Sequence, residues 1–567
     1  MEAGAAPALP PAWHWRIAAI ACLTLLGAKL WLISRINVNW DEFNFLSHVF
    51  ESTRGELRLL LQGTFVHLFR WLPLLDANEV DLVVAGRLAM WPLLAVTAFF
   101  IWRLASVWIS KPIALVAVVC YLSTWPVQLH GASFRYDSLI VALITTSAWL
   151  ITRSVEKPRT LHIAALLFGA AVALSIKSLL FAPMLAALIV VRMPGAPGWS
   201  ARSAAVRLAS FAALAVAITA LLLMVHGFTL GQNPHAANGF ARIAFTTMLL
   251  DVPFLPRSAI FSMLQNADPF FWTLLAAGFL CAAAQPRYRS ACVLLLGLSP
   301  LLFYRNAWPY FYVVMLAPAC VFTAVAVETA ASFLVSRSQP RGAALIVATF
   351  IVAFAARGAL HVAYLSIDRQ GVQRAVVDAV HQVFPSPVPY VDHSGMIASF
   401  PKANMFMSTW GMARYRETGR SFMDDAIANS QPKFMLLNRA ELDAQGSGAR
   451  VLLPRDREVL VRHYLPYLGP IYVAGTEFDL SNGTESATQL PFAGGYRLES
   501  EGPVIINGVR HEPGEVIEFA TSDFRVARAS PDLAVRGRLV TAAAREIGLL
   551  DIDRPLLESS AELYTGL

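Results

Sequence analysis

Charge is scarce in this sequence. Only 15% of its 567 residues are Asp, Glu, Lys or Arg, against about 25% in soluble globular domains. With 56% hydrophobic residues and a mean hydropathy of +0.53, this excludes an ordinary soluble enzyme. It points to a polytopic membrane protein with room for a water-facing portion as well. Cysteine is scarce too. Cys22, Cys120, Cys281, Cys292 and Cys320 all fall in apolar runs, which excludes a disulfide framework and a Cys-ligated metal site. They read as small buried hydrophobes. His361, Asp392-His393, His463 and His511 lack metal-ligand spacing and read as packed or surface histidines. No repeat of 20–50 residues is present, which removes solenoids and argues against a transporter built from inverted repeats. The net charge of +7 does not imply a nucleic-acid partner, because the excess lies in loops flanking apolar runs.

What is present is a succession of those runs: 17–36, 82–102, 112–130, 138–152, 161–176, 178–191, 208–226, 269–285, 290–304, 309–334 and 343–363. They predict about 11 transmembrane helices. The first is long enough to span and ends in Ile33-Ser34-Arg35-Ile36-Asn37 without a small-residue cleavage site, so it reads as an uncleaved span. With the N-terminus inside, the inner loops hold Arg103, Lys111, Arg153, Lys157, Arg159, Arg192, Arg202, Arg207, Arg287, Arg289, Arg337 and Arg341. The short outer loops hold Arg135, Lys177 and Arg305. The positive-inside rule supports that orientation. An odd number of spans then exports the C-terminal portion, and the alanine- and arginine-rich composition suggests a bacterial inner membrane.

Residues 1–366 therefore read as a transmembrane domain with two long outer segments, 37–81 and 227–268. The first is amphipathic around Leu57–Leu61 and Phe65–Leu72, as interfacial helices are. The second, with Gly231-Gln232-Asn233-Pro234, predicts a helix around 240–250. From 367 charge returns. Residues 367–484 read as an exported α/β domain: a helix from Ile367 to Phe384, strands at Val388–Val391, Lys433–Leu437 and Pro470–Ala474, and a helix from Asp456 to Tyr467. Residues 485–567 read as a small β-rich domain, with Asn507-Gly508 as a hairpin turn.

Three constellations carry chemistry. Trp40-Asp41-Glu42-Phe43 follows the first span. At helical spacing Asp41, Asn44 and His48 share one stripe, and Phe43, Leu46 and Phe50 another. The plain reading is a helix cap. Arg135-Tyr136-Asp137 opens the fourth span on the same side, where ionisable groups face a cavity or a partner. Lys177, Arg305 and Arg87 interrupt apolar sequence towards the outer face. Each alone can snorkel, but together they suit an anionic ligand such as a lipid phosphate.

In order, sidedness and span number these motifs resemble the polytopic C-superfamily glycosyltransferases, in the branch of the protein O-mannosyltransferases and lipid A aminoarabinose transferases. The matching positions are Asp41-Glu42 in the first outer loop, Arg135-x-Asp137 opening the fourth span, Lys177 near the outer end of the fifth, and Arg305 with Pro309-Tyr310-Phe311. The resemblance covers roughly residues 15–335. No β-trefoil-like segment is present, which argues against the eukaryotic mannosyltransferase subgroup. The resemblance implies an inverting transfer of a sugar from a polyprenyl phosphate in the outer leaflet to a hydroxyl of a glycolipid, glycan or protein. It implies Asp41 as base, Glu42 and Asp137 as supporting catalytic residues, and Lys177, Arg305, Arg135, Arg87, His48 and Asn44 as substrate-binding residues. A divalent ion held by Asp41, Glu42 and Asp137 stays open. The alternatives are a non-catalytic envelope protein with a sugar-binding exported domain, and a lipid or solute transporter.

Overall fold

The computed structural model describes residues 13–192, 200–231, 252–367, 370–530, 534–549, 557 and 563–564. The helix expected around 240–250 lies outside them. The chain divides into two compact units. The membrane unit comprises residues 1–36, 51–72 and 84–368, and the C-terminal unit residues 37–50, 73–83 and 369–567.

In the membrane unit the helices are α1 (Trp13–Leu32), the end of α2 (Trp40–Arg54), most of α3 (Glu79–Ala105), α4 (Lys111–Ser123), α5 (Trp125–His130), α6 (Tyr136–Arg153), α7 (Arg159–Leu174), α8 (Ala182–Arg192), α9 (Ala201–Gly227), α10 (Ser258–Ala267), α11 (Pro269–Ala284), α12 (Pro309–Ser336) and α13 (Pro340–Leu365). Among the described residues, five stretches are long and apolar enough to cross a membrane: Trp15–Leu32, Glu79–Ala105, Ala201–Gly227, Pro309–Ser336 and one that begins at Pro340. The pair α10 and α11, bent by 98°, makes a sixth if taken as one span. Other apolar runs form shorter helices, such as the 13-residue α4 and the 16-residue α7.

Helix α12 is the centre of this unit, with 94% of its most apolar window buried. Without a hydrophobic drive between helices in lipid, close backbone approach supplies the packing. At Gly278 of α11, a Cβ would stand 1.8 Å from the carbonyl oxygen of Phe322 on α12, so only glycine permits this crossing. Two of the charges buried here, Lys29 and Glu328, cap helices. Lys29 Nζ donates to the carbonyls of Gln128 (2.7 Å) and Leu129 (3.1 Å) at the end of α5. Glu328 accepts from the Ser110 N–H (2.8 Å) at the start of α4.

The amphipathic stretch after α2 is not the continuous interfacial helix its pattern suggests. It forms two short 3-10 turns, Thr64–Leu68 and Leu72–Leu75. A histidine pair secures the first turn: His67 Nε2 and His226 Nδ1 lie 2.9 Å apart, and His226 Nε2 is 2.7 Å from the Leu59 carbonyl.

The C-terminal unit begins with α2 and the start of α3, then α14 (Gln370–Val383), α15 (Thr409–Thr418), α16 (Phe422–Asn429) and α17 (Pro454–His463). Its strands are β1 (Tyr390–Val391), β2 (Phe434–Leu436), β3 (Tyr464–Leu468), β4 (Ile471–Asp479), β5 (Glu485–Gln489), β6 (Gly494–Ser500), β7 (Val504–Ile506), β8 (Val509–His511), β9 (Val516–Phe519), β10 (Asp523–Arg528) and β11 (Arg536–Thr541). One sheet runs β1-β2-β4-β11-β6-β9, with β3 also on β4, and a second runs β5-β10-β7-β8. Only β1 and β2 pair in parallel. The long antiparallel ladder of β4 with β11 carries the first sheet across residue 484. Asn507 (φ 48°) and Gly508 (φ 85°) make the tight turn between β7 and β8, a conformation those two residue types favour.

Buried Asp456 ties this unit together. It accepts from Tyr415 Oη (2.7 Å), Ser421 Oγ (2.7 Å) and the Met423 N–H (2.8 Å). In α3, Glu79 accepts from Ser399 Oγ (2.6 Å) and meets His381 Nε2 (3.0 Å) of α14.

Two packing results are testable. Replacing Gly278 by Val forces α11 off α12 and lowers stability by about 1–3 kcal/mol, read as a lower thermal midpoint of the solubilised protein. Burial, and behind it neighbouring arginines, lowers the imidazoles of both His393 and His463 to about 4. Their unfolded value is about 6.5. They therefore favour the folded state fully above pH 6.5, and that contribution is lost as pH falls from 6.5 towards 4. The thermal midpoint should decline over that window, and His393→Leu with His463→Leu should flatten the decline.

Candidate functional site

Helix α6 starts after a sharp turn in which Ser133 Oγ donates to the His130 carbonyl (2.9 Å). Arg135 stands at its N-cap in extended conformation, and Asp137 lies in its first turn, where a carboxylate suits the helix dipole. Opposite, Ser175 is extended and breaks the helical path between α7 and a 3-10 turn at Ile176–Phe181. That break directs Lys177 inward. Its Nζ donates to Asp137 Oδ1, while Arg135 Nε donates to Asp137 Oδ2 at 3.1 Å. All three side chains are buried, Asp137 to 1% exposure. One carboxylate thus holds two cations.

Aromatic faces complete the enclosure. The Arg135 guanidinium lies 3.8 Å over Tyr310. Lys177 Nζ lies 4.6 Å from the Tyr136 ring, 5.1 Å from Tyr310 and 5.2 Å from Phe311. Such rings attract cations through their negative faces, which helps a cation stay charged away from water. Tyr310 and Phe311 open α12, the buried central helix.

Sequence reading passed over Arg257. Its guanidinium stacks 3.9 Å over Trp308, and its Nε donates to the Arg305 carbonyl (2.9 Å). The signal was available, since Phe254-Leu255-Pro256-Arg257 is one more cation among apolar residues. Arg305 itself is exposed. Around the start of α12 there are accordingly four cations, Arg135, Lys177, Arg257 and Arg305, with Asp137 the carboxylate bound to two of them. Arg87 is placed differently. Buried in α3, its Nη1 donates to the carbonyls of Ile33 (3.1 Å) and Ile36 (2.7 Å), so it caps the end of α1.

In the C-terminal unit, α2 begins with a reciprocal cap. Asn39 Oδ1 accepts from the Asp41 N–H (2.9 Å), and Glu42 Oε2 accepts from the Asn39 N–H (3.0 Å). That is a capping box, and it gives buried Glu42 a structural role. Asp41, one residue earlier, is half-buried. Asn44 Nδ2 and His48 Nε2 lie 3.0 Å apart, on the stripe their spacing predicts. Phe43 and Leu46 are fully buried on the other face, and Phe50 is half-buried.

Asp41, Glu42 and Asp137 make a poor donor set for a divalent ion. Both Asp137 oxygens are engaged by cations, and Glu42 Oε2 is engaged by a backbone N–H. Among the described residues, no group of three or more His, Cys, Asp or Glu could hold a metal.

No protein-family model matches this sequence, and no curated protein matches it. Solved structures do. The crystal structure of ArnT from Cupriavidus metallidurans bound to undecaprenyl phosphate superposes with a TM-score of 0.54 at 14% identity, over 82% of this chain and 97% of that one. The Archaeoglobus fulgidus oligosaccharyltransferase in the apo form gives 0.48 at 13% identity, over 89% and 74%. The S. cerevisiae protein O-mannosyltransferase Pmt1-Pmt2 complex bound to the sugar donor gives 0.33 at 14% identity, over 43% and 36%. The first of these carries the comparison, and at such identity it speaks to architecture. This chain shares the overall fold of that ArnT structure.

Proposed function

We propose that the chain is a membrane glycosyltransferase that moves a sugar from a polyprenyl phosphate to an acceptor hydroxyl at the outer face of a bacterial inner membrane, with inversion. The acceptor is a glycolipid, glycan or protein. The observation that carries this reading is the buried Arg135–Asp137–Lys177 cluster, in which two cations meet one carboxylate under aromatic rings among membrane helices. A phosphate leaving group needs no general acid. It needs positive charge already in place as its own charge develops. Asp137 fixes both cations so that no reorganisation is required, and the lipid tail dissolves among the helices. The undecaprenyl phosphate in the ArnT structure supports the donor class.

In this reading the acceptor oxygen attacks the anomeric carbon and its proton passes to Asp41. The bond from the anomeric carbon to the phosphate oxygen breaks, and its electron pair leaves with the polyprenyl phosphate. Lys177 and Arg135 stabilise that anion, and Arg257 and Arg305 add charge nearby. Asn44 and His48 line the same stripe of α2 as Asp41 and orient the acceptor. Glu42 shapes the helix start.

Transfer can be assayed with a panel of undecaprenyl-phosphate hexoses and pentoses, using membranes of a deletion strain as acceptor source. Lys177→Ala should lower transfer by about 10²–10³-fold, the cost of one lost anion-stabilising donor, and weaken binding of undecaprenyl phosphate. Near-normal transfer in this variant refutes the phosphate role.

The two acidic neighbours should separate cleanly. Asp41→Asn should lower kcat by about 10²–10⁴-fold, as loss of a general base does. Glu42→Gln keeps a capping-box acceptor and should stay within about tenfold of wild type. Equal losses in both variants would overturn the assignment of Asp41 alone as base.

A further inference from the structure

We propose that Arg439 and His393 position Asp41 by clamping Trp40, the residue before it in α2. The inference rests on Asp41 acting as the base, and it assigns to the C-terminal unit the task of aiming that carboxylate.

Trp40 is half-buried at the first turn of α2. The Arg439 guanidinium lies over its ring at 4.2 Å. The His393 ring centroid stands 5.6 Å away at 53°, and Tyr564 meets the indole edge-on at 6.2 Å. The jaws are themselves fixed. Glu441 holds Arg439 with two hydrogen bonds, Nε to Oε2 (3.0 Å) and Nη2 to Oε1 (3.1 Å). His393 sits in a turn whose neighbour Asp392 accepts from the N–H groups of Gly395 (2.7 Å) and Met396 (2.7 Å) and from Asn438 Nδ2 (2.9 Å). Tyr564 Oη is bonded to Ser394 Oγ (2.8 Å) and Asn438 Nδ2 (3.1 Å).

Asp41 is therefore bracketed along the chain. Upstream, Val38 exchanges two hydrogen bonds with Gln373, its N–H to Oε1 (2.7 Å) and Nε2 to its carbonyl (2.8 Å). Downstream, Ser47 packs so closely on Gly395 that a Cβ there would lie 3.0 Å from its side chain. Between the two, the clamp fixes Trp40. His393 is 2% exposed, and its Nδ1 has no hydrogen-bond partner among the described residues. Packing, not hydrogen bonding at that nitrogen, sets its ring. Burial keeps the ring neutral, so it does not repel Arg439 across the indole.

Energetics separate positioning from mere stability. A partly exposed cation–π contact is worth about 0.5–1 kcal/mol, which is small on the scale of folding. A displacement of about 1 Å in a reacting group costs about 10²-fold in rate. The same contact can thus matter little for folding and much for transfer.

The test uses the full chain, the transfer assay above and four variants. Arg439→Gln removes the cation and should lower kcat by about 10–100-fold, with donor KM and thermal midpoint close to wild type. Arg439→Lys keeps a cation over the indole and should recover most of that loss. The double variant Asp41→Asn with Arg439→Gln should lose no more than Asp41→Asn alone, because the clamp acts through Asp41. Wild-type kcat in Arg439→Gln overturns the inference. So does a loss in Arg439→Lys equal to that in Arg439→Gln, or a loss carried by donor KM or by unfolding. If Asp41→Asn keeps normal transfer, the assignment of Asp41 as base fails. If Asp41→Asn loses transfer and Arg439→Gln is normal, the clamp alone fails.

Discussion

Burying Lys177 and Arg135 together among membrane helices would be prohibitive without a counter-charge, and Asp137 supplies it for both. Desolvating an ion costs several kcal/mol even after relaxation, so each cation needs a partner of good geometry. Asp137 offers one oxygen to each, and the rings of Tyr136, Tyr310 and Phe311 lie against the Lys177 ammonium. The surrounding structure serves this contact. The Ser175 break brings Lys177 inward, the α6 N-terminus presents Asp137, and the buried α12 delivers Tyr310 and Phe311. Removing the carboxylate would leave two buried like charges, so the cluster behaves as a unit.

The C-terminal unit organises a second set of constraints around α2. Glu42 closes the helix start, Gln373 holds the chain before it, and Trp40 is held between Arg439 and His393. These contacts are modest one by one. Together they hold the start of the helix that carries half-buried Asp41, with Phe43 and Leu46 buried on its other face. A base must be held within hydrogen-bond reach of its proton, and a capped, clamped helix meets that need better than a loose loop.

Much of this was legible in the chain itself. The stripe of Asp41, Asn44 and His48 is real because the side-chain period of a helix is fixed, and Asn44 does meet His48. The strands at 390, 434 and 471 and the Asn507-Gly508 turn follow from alternation and turn chemistry. Other features were not legible. The bonds from Arg87 to the carbonyls at the end of α1 are visible only once α3 lies beside it. The stacking of Arg257 on Trp308 joins residues remote in sequence, so only the fold reveals it. The amphipathic stretch from Leu57 to Leu72 shows helical periodicity yet forms short 3-10 turns, since long-range contacts such as that of His226 with the Leu59 carbonyl override local pattern.

By itself the sequence determined the environment. Scarce charge and long apolar runs place the chain in a membrane, and the acidic and basic motifs between runs supply candidate groups for the proposed chemistry. Those properties are local sums over neighbouring residues, so they survive without coordinates. The tertiary structure decided which charges pair and which merely cap. Asp137 binds Lys177 across forty residues, Glu42 turns back onto Asn39, and Arg439 reaches Trp40 from the far end of the chain. Pairing depends on distances of a few ångströms between segments remote in sequence. No periodicity encodes those distances, and only the folded backbone sets them.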